Sequence, residues 1–123
     1  MDANEIVSIE FGSGHNWQKE VLGCQLPIIV DFHATWCGPC KELGPAIEKY
    51  FKDEKTFKLV KVDVDENEQI ASDYKVEAMP TVMLFSNGKI IKQFQGCDLN
   101  ELDNMVKEIK NISIIFLNKI IKR

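Results

Sequence analysis

Apolar and polar positions follow two different periods along this chain, and each switch between them marks an element. Ile6 to Glu10 alternates with period two, a short strand, and Phe11-Gly12-Ser13-Gly14 breaks it. His15 to Leu22 suits a short helix closed by Gly23. Pro27 to His33 is almost continuously apolar, the pattern of a central strand buried on both faces, and Asp31 alone violates it. From about Cys37 to Asp53, Leu43, Ile47, Tyr50 and Phe51 recur at helical spacing, with Pro45 predicting a kink. Phe57 to Val64 alternates through Lys58 and Lys61 as a strand, and Asn67 to Tyr74 reads as a short helix. Thr81 to Phe85 is an apolar strand, and Asn87-Gly88 predicts a hairpin into Ile90 to Phe94. Gly96 ends that strand, and Asp98 is placed to cap a last helix carrying Leu99, Leu102, Val106 and Ile109.

The order is therefore β-α-β-α-β-α-β-β-α. A central apolar strand joined by helical crossovers implies parallel pairing, to which the Asn-Gly hairpin adds an antiparallel edge. With 123 residues, no internal repeat and no linker, this is one α/β domain. A content of 45% apolar and 28% charged residues excludes disordered and low-complexity classes. A net charge of −4 argues against general nucleic-acid binding, which wants a basic face.

That charge is uneven. Five basic residues and one acid lie between Lys107 and Arg123, which leaves the rest of the chain at −8. The expected division is a domain over residues 1–111 and an apolar, basic C-terminal extension over 112–123. As a continuation of the last helix, Phe116 and Ile120 extend its apolar stripe, while Ile114, Leu117 and Ile121 fall on a second face. Packing of this tail against the domain's own surface is the first expectation. A homodimer contact comes second, and an interfacial anchor through Lys119, Lys122 and Arg123 third. The run is too short to span a membrane, which takes about 20 residues.

Four cysteines do not make a disulfide framework in a chain that can build its own core. Cys24 and Cys97 are isolated, whereas Cys37 and Cys40 stand three apart between the buried strand and a helix. At a helix start, positions i and i+3 are close enough to bridge without distortion. The first thiol meets the unpaired backbone N–H groups and the macrodipole, which favour its thiolate; the second lies one turn inside, more shielded. Cys37 is thus expected to attack a partner's disulfide, and Cys40 to resolve the mixed disulfide. A zinc site needs four ligands, and only His33 is near; Pro39 and the continuous helix after it fit redox chemistry better. Asp31 is either a strand-edge acid reaching solvent or a buried carboxyl whose raised pKa suits a proton acceptor.

Asp31-Phe32, Ala34, Trp36-Cys37-Gly38-Pro39-Cys40-Lys41, Met79-Pro80-Thr81, Asn87-Gly88 and Gly96 stand in the order of the thioredoxin family. The chain resembles that family from Ile6 to about Asn111. The resemblance implies a thioredoxin fold, a central mixed five-stranded sheet flanked by four helices, and reduction of protein disulfides with no bound cofactor beyond the Cys37–Cys40 pair. It implies that Asp31 takes the proton from Cys40. It also makes Lys61 the partner of Asp31, although a lone strand Lys is as readily a solvated residue. It implies a cis bond before Pro80, where the residues alone would equally suit a trans proline opening an edge strand. Trp36, Gly38, Pro39, Met79, Pro80 and Gly96, with Cys97 beside it, would then form an apolar patch that docks extended substrate.

His33 and Cys97 depart from the family pattern, and Cys24 reads as a buried spacer. The implied partners are a thioredoxin reductase and disulfide-containing proteins, with no nucleic acid. The chain is expected to be a monomer, with a weak dimer through Cys97 or the tail as the alternative. Met1-Asp2-Ala3-Asn4-Glu5 has neither the basic start of a secretory signal nor an apolar run after it, so the cytoplasm is the expected setting, or an organelle if a targeting segment has been removed. A docking module that keeps the fold without the chemistry is the competing class, and intact cysteines with Asp31 and Pro80 speak against it. Within the redox class, an isomerase or oxidase is the alternative.

Overall fold

A computed structural model describes residues 4–121. The β-branched, apolar run of Ile28–His33 forms β2, the middle of a five-stranded sheet ordered β1-β3-β2-β4-β5. The other strands are β1 (Ser8–Glu10), β3 (Lys58–Asp63), β4 (Thr81–Ser86) and β5 (Lys89–Gln95). Helices α1 (Gly38–Glu54) and α3 (Leu99–Ile121) cover one face; α2 (Glu68–Asp73) and a π-helical turn (Gln18–Leu22) cover the other. The mixed sheet with four helical segments is the architecture expected from the sequence. The span His15 to Leu22 forms that π-helical turn rather than a regular helix.

Strands β1 and β3 both run parallel to β2, whereas β4 is already antiparallel to it. Antiparallel pairing therefore begins one strand before the hairpin edge that the sequence pattern indicated. Helix α2, about 9 Å long for six residues, covers less than half of a six-residue strand of about 20 Å, and the link sets Thr81 beside Phe32, so β4 runs back from that end. Asn87 and Gly88 both take left-handed conformations (φ 51° and 79°), the geometry of a tight hairpin. A side chain at Gly88 would meet the Leu22 carbonyl oxygen at 2.8 Å.

Because side chains alternate along β2, Ile29 enters the core under α1 and α3, while Ile28, Val30 and Phe32 enter the core on the opposite face. On that second face Lys58 is fully buried and tied to Glu20 of the π-helical turn, through both its carboxylate and its backbone carbonyl oxygen. The alternation of Phe57 to Val64 gave no sign of this buried ammonium. Asp98 caps α3 as expected, its Oδ1 accepting from the Glu101 N–H at 3.0 Å.

Helix α3 runs unbroken into the tail, but packing of the tail on the domain's own surface fails. Ile109 is its last fully buried residue, and Ile114, Ile115, Leu117, Ile120 and Ile121 are 50–77% exposed. The cause is geometric: α1 ends at Glu54, where Lys110 pairs with it at 3.1 Å, and beyond that pair the sheet offers α3 no surface. Lys122, Arg123 and the side chain of Phe116 lie outside the described residues.

Two consequences are measurable. Truncation after Ser113 is expected to shift Tm by less than about 4 °C in a thermal melt; a larger fall would restore the self-packed tail. Glu20→Ala, which strips the carboxylate from a buried ammonium, is expected to cost about 3 kcal/mol in urea unfolding. The double change Glu20→Ala with Lys58→Met should recover most of that loss.

Candidate active site

Helix α1 begins directly over the carboxyl end of β2, and its first turn builds the site. Cys37 is the N-cap, with Pro39 in the first helical turn where a missing N–H costs nothing. The Cys37 sulfur accepts from the Cys40 N–H at 3.2 Å, and the two residues are bridged as a disulfide with Cα atoms 5.4 Å apart. Their exposures are 4% for Cys37 and 9% for Cys40, the reverse of the expected order. The first cysteine is covered because the bridge lies against Ala34, Val64 and Met79. Its distinction from Cys40 rests on its place at the helix N-terminus and not on exposure.

Asp31 projects from β2 on the same face as Ile29, beneath that helix turn, and is 3% exposed. Its Oδ1 has no hydrogen-bond partner among the described residues. Burial pushes its pKa from 3.8 up to about 6; the His33 and Lys61 charges pull it down, and Glu10 and Glu48 push it up. The reading as a strand-edge acid is excluded by this position. An opening of about 260 Å³ joins Asp31 to Cys40 and is also lined by Glu10, His33, Lys41 and Lys61. Lys61 lies beside Asp31 in the β2–β3 register, yet its ammonium pairs with Glu48 of α1 at 2.7 Å. It acts on Asp31 only as a nearby charge. His33 pairs with Glu10 at 3.1 Å, and that hydrogen bond raises the imidazole pKa above its usual value.

The opposite flank of the disulfide is apolar. Trp36 is 66% exposed, held by its indole N–H to Asp65 at 2.9 Å. Gly38 and Pro39 are exposed beside it, Met79 packs on the cysteines, and the Met79–Pro80 bond is cis. The Pro80 carbonyl oxygen accepts from Gly96 N–H at 2.9 Å, so Gly96, at φ 81°, joins the same rim. Cys97 is half-buried there, and burial with the neighbouring Glu42 pushes its thiol pKa up. Cys24 lies in the core on the other face. Among the described residues, no group of three or more His, Cys, Asp or Glu side chains is placed to hold a metal ion. Glu10, Glu48 and Asp65 were missed from sequence. Each is one acid among many, and only strand register and helix docking give it a partner.

Raising a carboxyl pKa on folding makes the ionised form a burden on the native state. Stability due to Asp31 is full below pH 4 and falls as pH rises through about 6. Asp31→Asn is therefore expected to be more stable than the parent by up to about 3 kcal/mol above pH 7. The gap should close as pH falls towards 4, read from urea midpoints across pH; a gap independent of pH would show that Asp31 ionises normally.

Comparison with known proteins agrees with this geometry. The sequence profile of the family described as Thioredoxin matches residues 8–111. The mitochondrial thioredoxin of Mus musculus is 40% identical over 98 residues, 78% of this chain and 59% of that protein, so the chain spans less than two thirds of its mitochondrial relatives. A thioredoxin of Mycoplasmoides gallisepticum is 42% identical over 72% of this chain and 89% of its own. Among solved structures, Nicotiana alata thioredoxin superposes with a TM-score of 0.75 at 36% identity, covering 85% of this chain and 92% of its own. Malassezia sympodialis thioredoxin gives 0.73 at 38%, covering 82% and 90%. With the bridged cysteines at a helix N-terminus, the buried Asp31 and the cis Pro80 in place, the chain belongs to the thioredoxin family.

Proposed function

We propose that this chain reduces disulfide bonds in other proteins through Cys37 and Cys40, and is itself returned to the dithiol by a thioredoxin reductase. The observation that carries this is the Cys37–Cys40 bridge at the start of α1, directly above a buried carboxyl. In the reduced protein the N-terminal N–H groups of α1 favour the Cys37 thiolate. That thiolate attacks one sulfur of the substrate disulfide, forming a mixed disulfide and releasing the other substrate sulfur as a thiolate, which takes a proton from water. Asp31 removes the proton from Cys40, whose sulfur attacks Cys37, closes the bridge and expels the second substrate thiolate. One substrate disulfide gains two electrons and the dithiol loses two.

Substrate docks on the apolar flank, with an extended segment against Trp36, Gly38, Pro39, Met79, Pro80 and Gly96. A docking module without chemistry has no use for a carboxyl whose burial is this costly. The setting is a reducing compartment, the cytoplasm or, as the names of several relatives suggest, the mitochondrion.

The test is reduction of insulin by the recombinant protein with dithiothreitol as the electron source. Cys37→Ser is expected to abolish activity, and Cys40→Ser to accumulate the mixed disulfide, seen as a mass adduct on Cys37. Asp31→Asn should slow release of that adduct about a hundredfold. Full activity in Cys37→Ser would overturn the proposal.

A further inference from the structure

Strand register stacks charges at one end of the sheet. On the face under α1, Ile29 lies beside Leu59, Asp31 beside Lys61, and His33 beside Asp63. Strand β1 adds Glu10 next to Lys61, so Glu10, Lys61 and Asp31 form one row across three strands. His33, two residues further along β2, reaches back to Glu10 at 3.1 Å. Since β3 lies between β1 and β2, this contact spans β3. On the other side Lys61 is drawn to Glu48 of α1. The Asp31 carboxyl lies at the β2 end of that row, next to Lys61, and the opening it shares with Cys40 and His33 leads to water.

Asp31 has to exchange protons with water through that opening. Closing the bridge leaves Asp31 with the proton of Cys40, and reopening it returns one to the leaving Cys40 sulfur. With a pKa of about 6, Asp31 has lost its proton to water between the two events at neutral pH. Ile29 and Val82, both fully buried, close the sheet side. Glu10, Lys41 and Lys61 are the other charged groups lining the opening, while Glu48 acts on Asp31 and Asp63 on His33 as nearby charges. Lys61 holds Glu48, and Asp63 accepts from the N–H groups of Asp65 and Glu66. Lysine ammonium groups carry no acceptor, whereas a neutral imidazole carries both a donor and an acceptor and titrates near physiological pH.

We propose that His33, oriented by Glu10, relays protons between Asp31 and water during thiol–disulfide exchange. His33 is a positioning residue in this scheme: it sets how fast Asp31 fills and empties, and it touches neither sulfur. The proposal rests on the disulfide-reductase reading above.

Stopped-flow oxidation of the reduced full chain, followed by Trp36 fluorescence, reads the resolving step across pH 5–9. His33→Gln is expected to slow resolution roughly tenfold near pH 5, where Asp31 starts protonated and must empty before it can take the Cys40 proton, and much less at pH 8. Added imidazole should restore the rate, while the rate of Cys37 alkylation stays unchanged. Glu10→Gln, at an exposed position, should keep the step but move its inflection to lower pH, because Glu10 holds up the pKa of both His33 and Asp31. Unchanged rates and profiles in both variants would overturn the relay, and so would a slowed His33→Gln that imidazole does not rescue. Asp31→Asn, run in parallel, separates the two ideas. If it slows resolution while His33→Gln does not, the relay alone is wrong; if it too has no effect, the acceptor role of Asp31 fails.

Discussion

Asp31 is held beneath the first turn of α1 because only four residues, Ala34 to Cys37, separate β2 from that helix. So short a link cannot carry the helix away from the strand it follows, and the helix N-terminus must come down over the carboxyl end of β2. The rest of the site depends on that approach. It sets the bridged cysteines where the unpaired N–H groups of the helix favour a thiolate, and it seals a carboxyl away from water directly below them.

The seal is costly to the native state and useful to the chemistry. A buried carboxylate whose Oδ1 finds no donor loses most of its hydration, and its pKa rises towards neutrality for that reason. The fold treats its other buried charge differently. Lys58 lies on the opposite face of the sheet, where no reaction takes place, and is matched by the Glu20 carboxylate and a backbone carbonyl. One buried charge ties a turn to the sheet, and the other is left without a close partner among the described residues.

The disulfide also separates two kinds of surface. On one side Met79, Pro80 and the exposed Trp36 offer apolar area and a cis-proline rim suited to an extended chain. On the other side Glu10, His33, Lys61 and Glu48 surround the opening to Asp31. Under the proposed function, substrate and protons would reach the same two sulfurs from different sides. This division follows from the sheet order: β4 brings the cis-proline loop to one flank of β2, while β3 and β1 bring charged residues to the other.

Most of the fold was legible in the chain because its signals are local. The apolar run of β2 around one acid, the Asn-Gly turn, the Asp98 cap and the helical spacing of Leu43 and Ile47 act within a few residues of themselves. The Cys37–Cys40 pair was legible for the same reason, since its spacing and helix start are contiguous. Features that depend on residues distant in sequence were not. Nothing local says that β4 reverses direction, that Lys58 is buried against Glu20, or that Lys61 turns to Glu48. The relative cover of the two cysteines was misjudged because Met79 and Val64, far along the chain, decide it. The tail shows the limit from the other direction. Its apolar positions looked like core, but a residue is buried only where a facing surface exists, and the end of α1 removes that surface. Periodicity therefore determined the elements and the reacting pair, whereas burial, charge pairing and strand direction were decided by tertiary contact, because desolvation and Coulomb energy depend on distances in space that no local pattern encodes.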